Sequence, residues 1–176
     1  MLFARCDPIG REKGESAMRI LALVLWFVTA CGGGIDAKED AARAALSDAK
    51  YGEAIAQSNE GIKIAVDSQN RPAQWRFELI IVEAMAKSGQ GLAVVTELQR
   101  LAEAFPKQVN AKLYLSLGSH AKEAGDNNGA IELWAAGDKR FLDQSAQFKA
   151  AIDSLQKAGD LAPAELEKLK SLGYIQ

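Results

Sequence analysis

The chain has 176 residues, 48% of them hydrophobic and 25% charged, with a formal net charge of −2 and four prolines. That is enough to bury the core of one ordinary domain. After Cys31 there are 17 Lys and Arg against 20 Asp and Glu, with no polybasic stretch for a phosphate backbone, so nucleic acid is excluded as a partner.

The first recognisable element is Met18-Arg19 followed by eleven uncharged, apolar residues, 20–30, that end on small side chains. A positive start, an apolar centre and a small-residue end make a signal peptide, expected over residues 1–30. Eleven helical residues span about 16 Å, short of a hydrocarbon layer of about 30 Å, which disfavours a permanent transmembrane helix. Residues 1–17 are mixed and charged, so either the leader is long or translation starts at Met18; both starts stay open. Cys6 and Cys31 are the only cysteines, and removing the leader leaves one, so no internal disulfide is expected.

Val28-Thr29-Ala30-Cys31 resembles the bacterial lipobox. The resemblance implies a diacylglyceryl group on the Cys31 sulfur, cleavage before it and acylation of the new amine. Several chains together anchor stably where one is marginal. Covalent lipid is then the only non-protein group expected: no cofactor and no metal. Gly32, standing where an Asp would signal inner-membrane retention in the enteric pattern, points to the periplasmic face of the outer membrane. Residues 31–37 read as a flexible tether. The plain alternative is an ordinary secretory signal or a short inner-membrane anchor in which Cys31 has no role.

Beyond the tether, Ala-rich amphipathic stretches indicate an all-α class. Three segments share a spacing of small and apolar residues: 49–55, 89–95 and 125–131. Each lies between two helical stretches and reads as the turn of a helical hairpin. The third copy holds Leu117-Gly118, Ala121, Gly125-Asp126, Ala130 and Trp134. Gly89, Leu98, Leu101 and Pro106 mark the second, and Tyr51 with Glu53-Ala54-Ile55 the first.

These residues resemble the tetratricopeptide repeat, a 34-residue helix-turn-helix. About three stacked hairpins over residues 38–141 are expected, with Val82 and Val94 standing where Gly and Ala are usual and Gly61 replacing an Ala. Ala54, Val94 and Ala130 are 40 and 36 apart, so loops near residues 67–72 and Pro106 are expected to absorb the excess. A stack of hairpins needs a closing element with a polar outer side. Residues 142–176 supply it. Phe148, Ile152 and Leu155 share one helical face, Leu166, Leu169 and Leu172 another; Gly159 suits a helix end and Pro163 a helix start.

In the family, first helices line a concave groove. The matching positions are Glu39 and Arg43; Arg76, Leu79, Glu83 and Lys87; and Lys112, Leu115, Ser119, Lys122 and Glu123. A modest excess of basic residues suits a peptide of some acidic character. The bland reading is a solvated charged face, and Trp75 beside Phe77 reads as packed more readily than as an exposed anchor.

Catalysis is not expected. The only histidine, His120, follows Ser119, and adjacent helical residues point about 100° apart. One histidine is a poor zinc site, no Gly-Lys-Ser/Thr follows any glycine cluster, and Glu165 and Glu167 lie on different sides of a helix. The expected function is a membrane-anchored adaptor of the bacterial cell envelope that binds a protein or peptide. The rivals are a homo-oligomeric structural lipoprotein whose groove is filled by its neighbour and, from another class, a cell-wall-active enzyme on a helical scaffold.

Overall fold

A computed structural model describes residues 34–159 and 161–176; the leader, Cys31 and the adjoining glycines Gly32 and Gly33 lie outside the described residues. Among these residues eight α-helices follow one another: α1 (Ile35–Ser47), α2 (Tyr51–Asp67), α3 (Arg71–Lys87), α4 (Gly91–Ala104), α5 (Ala111–Glu123), α6 (Asn127–Arg140), α7 (Ser145–Ala158) and α8 (Pro163–Ser171), with a 3-10 turn, Leu142–Gln144, before α7. Among the described residues there is no strand. The class is all-α, built of hairpins packed on their neighbours. None of the described helices is long and apolar enough to cross a membrane.

The hairpins α1–α2, α3–α4 and α5–α6 turn in the same way. Each first helix ends in a Schellman motif: Lys50, Gln90 and Asp126 donate their N–H groups to the carbonyls of Ala45, Met85 and Ala121. The motif needs a left-handed residue, and Ala49, Gly89 and Gly125 supply φ of 58°, 75° and 80°. Of these three, Ala49 carries a Cβ into that region, as Gln69 does after the end of α2 with φ of 55°. A Cβ on Gly125 would meet nothing within 4 Å, so only backbone strain opposes it. In urea unfolding, Gly125→Ala is expected to cost about 1 kcal/mol, and Ala49→Gly to gain about 0.5 kcal/mol once the extra freedom of glycine in the unfolded chain is set against the relieved strain.

The excess residues of the first period lie in helices, not in a loop. Both α2 and α3 run for 17 residues, and only residues 68–70 join them. Pro72 does not open a loop, because it sits in the first turn of α3, where its missing N–H has no partner to lose. The Asn70 side chain caps that turn by accepting from the N–H of Ala73 at 3.1 Å. Near Pro106 the expected loop exists, over residues 105–110. At the N-terminal end α1 begins at Ile35, so residues 35–37, expected in the tether, are helical; Ile35 packs on the first apolar cluster and draws the chain into the helix.

The first helices α1, α3 and α5 lie side by side, α4 packs on α6, and α2 packs against both α1 and α3. Helix α3 serves two cores. Phe77, Ile80 and Ala84 join Ala42, Ala45 and Ala54, while Val82 and Ala86 face the larger cluster around Leu98, Leu117 and Trp134. A helix buried on both sides carries apolar residues on more than one face, and Val82 fills the side toward the larger cluster, where the repeat resemblance implies a glycine.

Glycines let rings and backbones close in. A Cβ on Gly61 would stand 2.3 Å from the Phe77 ring, and one on Gly137 would stand 2.3 Å from the Phe148 ring. These glycines occupy the same point of α2 and α6, so α7 meets α6 as α3 meets α2, like the first helix of a further hairpin. Gly91 and Gly129 let α4 and α6 touch: a Cβ on Gly129 would lie 2.7 Å from the Gly91 Cα. The Asp126 carboxylate caps both helices, accepting from the N–H of Gly91 and of Gly129, each at 2.8 Å.

At the C-terminal end, Phe148, Ile152 and Leu155 are buried as one face. In α8 Leu169 is fully buried and Leu172, at the helix end, packs half-buried against the same core, while Leu166 is 38% exposed, so two of the three leucines expected on one face dock. Polar ties complete the docking: Lys168 pairs with Glu132, and the Tyr174 hydroxyl donates to Asp138 at 2.8 Å.

Candidate functional site

Because α1, α3 and α5 are neighbours, the groove residues read from the sequence fall on adjacent helices. Their charges are largely spent on one another. Arg76 donates to Glu39 across α1 and α3 at 2.5 Å, and Arg43 pairs with the same carboxylate at 2.8 Å. Burial pushes the Glu39 carboxyl up, but the hydrogen bonds from Arg76 and Arg43 outweigh it and hold the group below its ordinary value. Lys87 pairs with Glu83 at 2.7 Å, and His120 stands between Glu83 at 3.8 Å and Glu123 at 3.4 Å. The modest basic excess is therefore narrower than the sequence suggests. Of the groove cations Arg43, Arg76, Lys87, Lys112 and Lys122, only Lys112 and Lys122 form no ion pair among the described residues.

Two clefts lie along these first helices. One, of about 310 Å³, runs between α3 and α5 and is lined by Trp75, Leu79, Lys112, Leu113 and Ser116, with Gln108 and Asn110 at its mouth. Trp75 is half-buried and tilts against Phe105 with ring centroids 5.4 Å apart, so it both packs and walls the cleft. The Asn110 side chain caps α5 by accepting from the N–H of Leu113 at 3.1 Å, which fixes the helix start beside the cleft. The other, of about 460 Å³, lies at the turn end and holds Tyr51, Lys87, His120 and Glu123.

Of the residues expected to meet a partner, Leu79 and Lys112 line the first cleft and Lys87 the second. Arg43, Arg76, Glu83, Leu115, Ser119 and Lys122 line neither. Ser119 donates its hydroxyl to the Leu115 carbonyl at 3.0 Å, and Leu115 leans on the core. Sequence reasoning missed Leu113, Ser116 and His120 as cleft residues. They repeat at helical spacing on α5, turned from the stripe of Lys112, Leu115, Ser119 and Lys122 by one residue. The signal was the buried set Tyr114, Leu117 and Ala121, which fixes the core face of the helix about 100° from Leu113, Ser116 and His120 and places these three beside it.

Chemically, the first-helix face is an apolar floor of Trp75, Leu79 and Leu113 with a free ammonium at its edge, followed by a belt of ion pairs. It can take an apolar side chain and hold a negative charge beside it. Among the described residues no group of three His, Cys, Asp or Glu is placed to hold a metal ion. No family model, no curated protein and no solved structure matches this chain.

Proposed function

We propose that this chain is a lipid-anchored adaptor of the bacterial cell envelope, tethered through Cys31, whose tetratricopeptide-like hairpins take a segment of a partner protein on the face of α1, α3 and α5. The anchor is supported by the lipobox-like Val28-Thr29-Ala30-Cys31 at the end of an apolar run. The observation that carries the adaptor role is the α3–α5 cleft, where Trp75, Leu79 and Leu113 form an apolar floor beside the unpaired Lys112. A half-buried aromatic and two leucines flanked by a cation fit a segment presenting an apolar anchor next to an acidic residue.

The test is in-cell crosslinking from a photoreactive residue at Ser116, with the same residue at the exposed Lys149 of α7 as control. A discrete adduct with another protein from position 116, lost on Leu79→Asp and missing from position 149, is the expected result. Adducts only with a second copy of the chain would replace the adaptor with the homo-oligomeric reading. Equal patterns from both positions would contradict either use of the cleft.

A further inference from the structure

A third cleft, of about 420 Å³, lies between the second helices α4 and α6 and shares no residue with the other two. Tyr114 of α5 lines it, only 2% exposed, with its ring edge-on to Phe141 at 5.8 Å between centroids. Its hydroxyl finds no hydrogen-bond partner among the described residues. The hydroxyl oxygen is open to solvent at the cleft, so it is placed to donate to a group bound there. Burial, the larger influence, raises the Tyr114 pKa, and the nearby Arg140 charge lowers it only in part, so the phenol stays a proton donor at neutral pH.

The rest of the lining is rich in donors. Lys139 and Arg140 stand on the last turn of α6, and neither is in an ion pair among the described residues. The Arg140 guanidinium lies 5.8 Å from the Phe141 ring centroid, over the same ring that Tyr114 meets. Gln99 of α4 adds an amide, and Val95 and Ala136 form apolar walls. The only carboxylate in the lining, Glu132, is engaged by Lys168 of α8. The cations also offset the carbonyl ends of α6, which by themselves would repel an anion.

We infer that this cleft binds a phosphate-class oxyanion, clasped by Arg140 and Lys139 and accepting a hydrogen bond from the Tyr114 hydroxyl. Arginine offers a planar fork that matches phosphate oxygens, and the tyrosine hydroxyl exchanges solvent for a charged acceptor. Such an anion arises from two sources, a soluble phosphate compound or a phospholipid headgroup.

Full-length protein in detergent is titrated with inorganic phosphate and with glycerol 3-phosphate, following amide and tyrosine NMR signals; flotation with phosphatidylglycerol vesicles is run beside it against neutral phosphatidylcholine vesicles, using the Cys31→Ser chain so that lipidation does not contribute and the retained apolar run 20–30 acts equally in both. Saturable shifts at Val95, Gln99, Tyr114 and Ala136 with a soluble probe assign the site to a soluble phosphate compound. Flotation that depends on Arg140 without such shifts assigns it to a headgroup. Arg140→Gln is expected to weaken binding about tenfold and Tyr114→Phe at least threefold, while Tyr114→Phe leaves the melting temperature unchanged or raises it. No saturable response in any arm, or binding unaffected by Arg140→Gln, overturns the inference. So does a lowered melting temperature for Tyr114→Phe with binding intact, since the hydroxyl would then have an internal partner.

Discussion

Trp134→Ala is expected to lower the free energy of unfolding by about 4 kcal/mol, as for other large aromatic truncations in a closed core. The indole is 2% exposed, sits in the largest apolar cluster, and donates Nε1–H to the Leu115 carbonyl at 3.3 Å. Gly118 of α5 makes room for it: a Cβ there would stand 2.2 Å from Nε1. Gly118→Ala should therefore cost about 2 kcal/mol net, overpacking exceeding the gain in helix propensity. Trp134→Ala removes the whole ring that collides, so the double variant Gly118→Ala/Trp134→Ala should be more stable than the two single losses sum to. Denaturant unfolding of the three variants checks the cycle. Additive losses would mean that α5 and α6 do not meet ring against backbone.

Arg100→Met is the second large effect, about 3 kcal/mol, because it strands an acid inside the protein. Glu78 of α3 is 3% exposed and takes its hydrogen bond from the Arg100 guanidinium of α4 at 2.6 Å. Arg100 also pairs with Glu97 at 2.5 Å, and these hydrogen bonds hold its proton more firmly than usual despite partial burial. The Glu97 pair is exposed and contributes little, so Glu97→Gln should be near neutral. Replacing both partners, Glu78→Leu with Arg100→Met, should restore most of the loss, since an apolar pair of similar volume needs no partner charge. Thermal unfolding distinguishes the cases. A tolerated Arg100→Met would mean that water, not Arg100, satisfies Glu78.

Local signals made the hairpins legible. Gly89, Gly125 and the run after Ala49 mark turns by left-handed geometry that few residues adopt, and Gly159 and Pro163 bracket helix ends for the same kind of reason. Trp134 was legible as core from the aromatic position it fills in the tetratricopeptide-like reading, but its contact with Gly118 shows only in the packing of α5 on α6. Gln69, Asn70 and Pro72 misled, since the same residues make a loop or a capped helix start, and only the packing of α2 on α3 decides between them. The charge balance of the first-helix face was legible only in part: Glu39 and Arg76 are 37 residues apart in sequence, and no periodicity announces that they meet. The face of α5 was misread by one residue because charged edge positions resemble a solvated stripe. Glu78 was missed altogether, an acid inside an otherwise apolar run whose partner lies 22 positions on.

The most direct test of the envelope-adaptor account is the mass of the N-terminal peptide from cells making the wild type and Cys31→Ser. The account expects cleavage before Cys31 and acyl mass on the wild type alone, with Cys31→Ser uncleaved and unlipidated. A wild-type peptide without lipid, or one that retains the leader, would contradict the anchor and leave a helical domain whose compartment has to be established from the start.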